Sequence, residues 1–305
     1  MTRSTLALLV LLAATTIIPA ADKPAAVELD ATLRMTQDNY ESGQPIPGEL
    51  TIHNAGTDWV KLDEIENLGR DLRLVDDKGK ETRPDAQPYA PARATAIGPG
   101  GFVGFAFEAQ RMFGRLEKPG TYKLVLRRDG VRAVERAVRV IERYDPALNY
   151  RLELDTPQGP VSIELHPAEA PETVHHIVNL ARLGFYDGAA IPRIEPTKGV
   201  AIRGPVTANH RIVPFEKNER QLLAGTVIVE PQSGELQANL PNLIILLGPR
   251  PEWQGRATAV GRVVGDEQAL SKLLQLPTSG EKGLPAFQPI APVAVKTARI
   301  VETKR

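Results

Sequence analysis

Short runs in which apolar and polar residues alternate fill the chain from about residue 26 to residue 142. They include Glu28-Leu29-Asp30-Ala31-Thr32-Leu33, Gly48-Glu49-Leu50-Thr51-Ile52, Leu72-Arg73-Leu74-Val75, Phe102-Val103-Gly104-Phe105-Ala106-Phe107 and Tyr122-Lys123-Leu124-Val125-Leu126, with a last run from Ala133 to Ile141. Period-two alternation puts one set of side chains on a common face, so each run predicts a strand. Turn formers separate the runs: Asn54-Ala55-Gly56, Asp76-Asp77-Lys78-Gly79, Gly98-Pro99-Gly100-Gly101, Lys118-Pro119-Gly120 and Asp129-Gly130. Short strands with regular turns predict an antiparallel β-sandwich. Trp59, Phe102, Phe105 and Phe107 are expected in its core.

The texture changes after Tyr144-Asp145-Pro146-Ala147, where the boundary is placed at residue 145. Two further alternating runs, Arg151-Leu152-Glu153-Leu154 and Val161-Ser162-Ile163-Glu164-Leu165, flank the turn Thr156-Pro157-Gln158-Gly159. Pro171 then suits the first turn of a helix. Val174, Ile177, Val178 and Ala181 follow at helical spacing, and Gly184 can end the helix. A second helix is predicted over residues 266–274, with Leu270, Leu273 and Leu274 inward, and a final strand over residues 292–301.

Composition changes this picture in three ways. Cysteine is absent, which excludes disulfides, thiolate metal sites and a cysteine nucleophile. Lys+Arg and Asp+Glu both number 37, and without a basic excess or basic run the sequence offers nucleic acid no footprint. Finally, Arg3 precedes an apolar run from Leu6 to Ile18 and the small residues Pro19-Ala20-Ala21. This is the layout of a secretory signal peptide, shorter than a comfortable membrane span, with an uncleaved N-terminal anchor as the alternative reading. The expected organisation is therefore residues 1–21 as signal peptide, 22–145 as the sandwich and 146–305 as a second domain. The mature chain is expected to be exported, periplasmic or extracellular, with no stable membrane span.

The stretch Gly159-Pro160-Val161-Ser162-Ile163-Glu164-Leu165-His166-Pro167-Ala168-Glu169-Ala170-Pro171-Glu172-Thr173-Val174 resembles the opening of cyclophilins, one class of peptidyl-prolyl isomerases. The match continues through Asn179-Leu180-Ala181-Arg182-Leu183-Gly184-Phe185-Tyr186-Asp187-Gly188. Weaker matches follow in order: Gly225-Thr226-Val227, Trp253 with Gly255, Gly261-Arg262-Val263-Val264-Gly265, and Phe287-Gln288-Pro289-Ile290. Together they cover about residues 148 to 302. The resemblance implies a mainly β domain, a closed antiparallel β-barrel capped by two helices. In the first half, Leu116-Glu117-Lys118-Pro119-Gly120-Thr121-Tyr122-Lys123-Leu124 resembles the turn-then-tyrosine approach to a late strand of immunoglobulin-like sandwiches, which bears on fold and not on function.

Prolyl isomerisation makes and breaks no covalent bond; its barrier of ~18–20 kcal/mol comes from amide resonance. A catalyst needs an apolar seat for the proline ring and a fixed donor for the twisted amide, a task suited to a guanidinium. No cofactor and no metal are expected. Ile191-Pro192-Arg193-Ile194-Glu195-Pro196 resembles the family's Phe-His-Arg-Val-Ile-Pro segment, which implies Arg193 as the catalytic side chain. Beyond it the pattern departs. Aligned on Gly204, Val200 takes the place of a pocket phenylalanine and Arg203 that of a glutamine. Pro241-Asn242-Leu243-Ile244-Ile245 stands for the family's Ser-Gln-Phe-Phe-Ile, so Ile244 replaces a second aromatic. Ala257 takes the place of a pocket histidine, and Trp253 either contacts a bound peptide or covers the barrel rim.

The expected binding set is thus Val200, Arg203, Ile244, Trp253 and Ala257 around Arg193. Loss of flat aromatic walls and a second cation near Arg193 predict reduced or absent turnover on ordinary test peptides. Two functions compete: an isomerase acting on proline-containing peptides or unfolded exported proteins, and a non-catalytic relative that binds peptides or a partner in the cell envelope. A third, a structural role led by the sandwich, has no discriminating residue. His175 and His176 are adjacent on a helix and cannot chelate as an i, i+4 pair would; they read as surface or helix-packing residues. His210 reads as a solvated loop residue, and Glu216 as structural.

Overall fold

The computed structural model describes residues 29–61, 68–85, 96–128, 130–205, 213–231, 238–265 and 268–304. The expected leader and His210 lie outside the described residues. The chain divides into two compact units, one drawn from residues up to 36, 45–115 and 122–138, the other from 37–44, 116–121 and 139–305. The second unit therefore includes two short segments that precede residue 145 in sequence.

The elements up to residue 141 are β1 (Leu29–Met35), β2 (Asn39–Glu41), β3 (Pro47–Asn54), β4 (Val60–Lys61), α1 (Leu68–Asp71), β5 (Leu72–Val75), β6 (Glu81–Thr82), β7 (Ala96–Ile97), β8 (Phe102–Glu108), α2 (Ala109–Phe113), β9 (Gly120–Leu126) and β10 (Val134–Ile141). In the first unit, β1, β3 and β8 form one antiparallel sheet, with Leu33 opposite Leu50 and Leu50 opposite Phe105. A second sheet runs β10-β9-β5-β6, and β4 pairs with β7. The unit is mostly β. Alternation does what it should: Leu50, Ile52, Phe105 and Phe107 are buried and their neighbours are not. Two aromatics expected in the core are not there. Phe102 and Trp59 are exposed: Phe102 begins β8, and Trp59, just before β4, lies over Gly98, just after β7.

The later elements are β11 (Leu148–Thr156), β12 (Gly159–Leu165), α3 (Pro171–Arg182), β13 (Ala190–Glu195), β14 (Gly199–Arg203), β15 (Val213–Pro214), β16 (Thr226–Pro231), β17 (Ala238–Leu246), β18 (Ala259–Val264), α4 (Gln268–Leu274) and β19 (Thr297–Lys304). Their strands form one sheet in the order β13-β14-β17-β16-β18-β12-β11-β19, with β15 beside β17. The expected closed barrel is not formed: the ladder is open, with β13 and β19 at its ends. The predicted last strand is divided. Its residues 293–295 meet residues 188–191 through Ile191 N to Val293 O (2.8 Å) and Val295 N to Ala189 O (2.8 Å), and only from Thr297 does the chain turn to pair with β11. This short bridge curls the sheet without completing its ladder.

The apolar stripe of α3, Val174, Ile177, Val178 and Ala181, packs with Ala269, Leu270 and Leu273 of α4 against the inner face of this sheet. Pro171 occupies the first turn of α3, but Ala170 at the N-cap has no side chain to satisfy the free N–H groups. Glu216 supplies the cap from 43–44 residues downstream. Its carboxylate accepts from Glu172 N (3.0 Å), Thr173 N (2.7 Å) and the Thr173 hydroxyl. On the helix's other side, β2 runs parallel to the end of β10, and Glu41 accepts from Asn179 Nδ2 (2.8 Å) and bonds the His175 ring. His175 in turn stacks on Tyr144 at 4.4 Å, a packing role. Among the described residues no helix is long and apolar enough to cross a membrane.

Candidate functional site

Four strands place the site. Arg193 on β13 lies opposite Ala201 on β14, Ala201 opposite Ile244 on β17, and Ile244 opposite Ile228 on β16. Directly opposed residues share a face, so these four form one row across the sheet. The adjacent row, Ile194, Val200, Ile245 and Val227, faces the other way into the large core. A bulge between Ala190 and Arg193 lets both Ile191 and Ile194 point inward while Arg193 points out.

The outer face carries its own apolar cluster: Leu222, Ile228, Leu246, Ala257 and Ala259, with Ile244 and Trp253 packed against it. The structure thus brings Arg193, Ile244, Trp253 and Ala257 to one side of the sheet. Arg203, two residues beyond Ala201 on β14, shares that side and is exposed. Val200 does not. It is wholly buried in the core, and the position expected of it belongs to Ala201. The reason is the strand period. Val200, Ala201 and Ile202 are all apolar, so sequence alone cannot say which of them face the core; cross-strand register decides.

Trp253 is half-buried in a 3-10 turn, Pro251–Trp253, whose N–H bonds Arg250 O at 3.1 Å. The Arg250 guanidinium lies 5.9 Å from the Trp253 ring centroid and also donates to Thr197 O, tying the turn to the β13–β14 hairpin. Ala257 N donates to Trp253 O at 3.0 Å, which sets Ala257 beneath the indole's backbone.

One functional neighbour was missed from sequence. Glu195 shares the outer face with Arg193, two residues away, and its side chain is only 4 % exposed. Its carboxylate accepts from Arg193 Nη2 and pairs with Lys198 Nζ at 2.8 Å. The signal was available: an acid stood where the resembling segment has isoleucine. Gly199, opposite Glu195, has no room for a side chain, since a Cβ there would lie 2.7 Å from Ile245 O. Among the described residues no group of three or more His, Asp or Glu could hold a metal ion.

An anchor behind the site is Tyr186. It is fully buried, its hydroxyl donates to Pro241 O at 2.9 Å, and burial pushes its phenol pKa far up. It therefore stays a neutral donor that holds the strand bearing Ile244.

Residues 151–300 match the family model described as cyclophilin type peptidyl-prolyl cis-trans isomerase/CLD. The peptidylprolyl isomerase cyp7 of Schizosaccharomyces pombe is 33% identical over 120 residues, covering 37% of this chain and 26% of that protein. A peptidyl-prolyl cis-trans isomerase-like 1 of Aspergillus oryzae is 26% identical over 155 residues, covering 48% of this chain and 93% of that protein. The chain thus spans about a quarter of the first relative and nearly all of the second. A solved cyclophilin type peptidyl-prolyl cis-trans isomerase of Cryptosporidium parvum, in the presence of the dipeptide Ala-Pro, covers 50% of this chain and 99% of its own, at 16% identity and a TM-score of 0.45. Residues 151–300 belong to the cyclophilin-type peptidyl-prolyl cis-trans isomerase family.

Proposed function

We propose that the chain is a prolyl isomerase acting on proline-containing segments of exported proteins, with a rate below that of a site walled by aromatics. The observation that carries the reading is the cross-sheet row. It sets a half-exposed guanidinium, Arg193, beside an apolar floor of Ala201 and the half-buried Ile244, with the fully buried Ile228 next in the row and Trp253 packed on the same cluster. A proline ring seated on that floor would present its amide to Arg193. As the amide twists, its nitrogen regains a lone pair that a guanidinium N–H can meet, and a fixed donor stabilises that state more than the planar one. Export rests on the N-terminal apolar run. The first unit is read as an immunoglobulin-like sandwich that carries this domain.

The test is two-dimensional NMR exchange on an Ala-Pro peptide with the full chain. Wild type should accelerate exchange, and Arg193→Ala should lower kcat/KM about 100-fold, the usual worth of one preorganised donor. Folded protein that leaves the exchange rate at background overturns the reading. The second reading, a peptide-binding relative without turnover, is favoured by one feature, the occupation of Arg193 by Glu195. Peptide binding that survives Arg193→Ala with no exchange would establish it.

A further inference from the structure

We propose that Glu195 is a positioning residue, a built-in counter-charge that holds Arg193 and sets how much positive potential a bound prolyl peptide meets; this rests on the role of Arg193 given above. The two side chains differ sharply in exposure, 48% for Arg193 and 4% for Glu195. The guanidinium therefore spans the boundary of the site. Its Nη2 is held from below by the carboxylate, and among the described residues no other bond engages its remaining donors. Lys198 Nζ, at 2.8 Å, is a second cation on the same carboxylate.

Stability alone does not account for this arrangement. A buried ion pair rarely outperforms an apolar side chain of similar volume, because desolvation offsets the attraction. The hairpin also has other fastenings: Lys198 N to Glu195 O (2.9 Å), Leu247 N to Lys198 O (3.2 Å) and the bond from Arg250 to Thr197 O. What the carboxylate does supply is orientation. It confines a long, mobile side chain to the face that carries Ala201 and Ile244, while drawing off part of the charge that the twisted amide would otherwise meet. Lys198 moderates that draw by competing for the same carboxylate. Charge at Arg193 is thus set by a three-member chain, Arg193–Glu195–Lys198, within one hairpin.

Two variants of opposite sign test this. Glu195→Gln keeps an acceptor of the same size but removes the charge; kcat for an Ala-Pro peptide should rise about three- to tenfold with KM nearly unchanged. Lys198→Gln, at a half-exposed position that the fold tolerates, leaves Arg193 as the sole cation on Glu195, and kcat should fall about two- to threefold. A merely structural Glu195 cannot give both signs. NMR of the Arg193 guanidinium in the ligand-free full chain reads the contact without turnover. Its N–H groups should be protected and slow to rotate in the wild type, and less protected but still held by the amide acceptor in Glu195→Gln. Unchanged kcat in both variants, or a freely rotating Arg193 in the wild type, overturns the proposal. If no form of the chain turns over, the isomerase reading fails separately, and the NMR measurement still decides the contact.

Discussion

Replacing Glu216 by alanine should loosen α3 and, through it, the sheet that carries the site. The helix opens on Ala170, which has no capping side chain, and Glu216 answers Glu172 N and Thr173 N. Loss of a side-chain cap costs about 1 kcal/mol. Thr173 is buried, and losing the bond from its hydroxyl to the carboxylate adds about 1–2 kcal/mol, since bonds to charged acceptors lie at the strong end. The sum is about 2–3 kcal/mol, a sizeable part of the ~5–15 kcal/mol that holds a typical domain together. In a domain of this size each kcal/mol moves Tm by about 2–4 °C, so a drop of roughly 4–12 °C is expected. Glu216→Gln, which keeps one acceptor but loses the anion at the positive helix end, should cost about 1 kcal/mol. Urea unfolding followed by far-UV circular dichroism measures both. The reach of the change is also testable. Glu216 N donates to Thr258 Oγ1 at 3.2 Å, and Thr258 lies between Ala257 and Ala259 of the outer apolar cluster. Peptide affinity should therefore fall along with stability. A Glu216→Ala protein within about 0.5 kcal/mol of wild type, the range of an ordinary surface change, would show that α3 does not depend on this cap.

Other outcomes follow from the same coordinates. Tyr186→Phe leaves Pro241 O unsatisfied in the core and should cost about 1–2 kcal/mol in the same unfolding assay, with a parallel loss of peptide affinity. Ile244→Phe adds an aromatic wall beside Arg193 and should tighten binding of an Ala-Pro peptide by about 1 kcal/mol, read by titration calorimetry. Stability should decline on the acid side in two stages. Burial, with Arg220 nearby, holds His166 below its usual 6.5, so its contribution is complete above that value and falls away as pH drops through it. Glu41 and Glu169 titrate next. Burial works against the Glu41 anion but is outweighed by bonds from Asn179 and His175, and the Arg220 guanidinium holds Glu169 down. Both lie below 4.5, so their contributions hold above that value and are lost beneath it. Thermal melts between pH 8 and pH 3 measure this, and a stability that rises on acidification would contradict it.

Part of the candidate site was named before any coordinates. The family resemblance implied Arg193, Ile244, Trp253 and Ala257, and the structure sets them on one side of the sheet. Val200 and Ala201 were not separable, because both faces of β14 are apolar: Val200 packs into the core and Ala201 beside the outer cluster. Alternation identifies a core face only where the opposite face is polar. Glu195 was passed over for a related reason. An acid on a strand reads as solvated, and only the approach of Arg193 and Lys198 makes its burial tolerable.

The sequence by itself determined many of the local elements: most of the longer strands, the span of α3 from Pro171 and the mainly β character of both halves. These depend on backbone preferences and on residues a few positions apart. The tertiary structure alone decided which apolar face turns inward, that the final strand divides at residues 293–297 and leaves the ladder open, and that Glu216 caps a helix begun over forty residues earlier. Each of these is a pairing between distant segments, whose register and burial are set by the packed neighbours rather than by local composition.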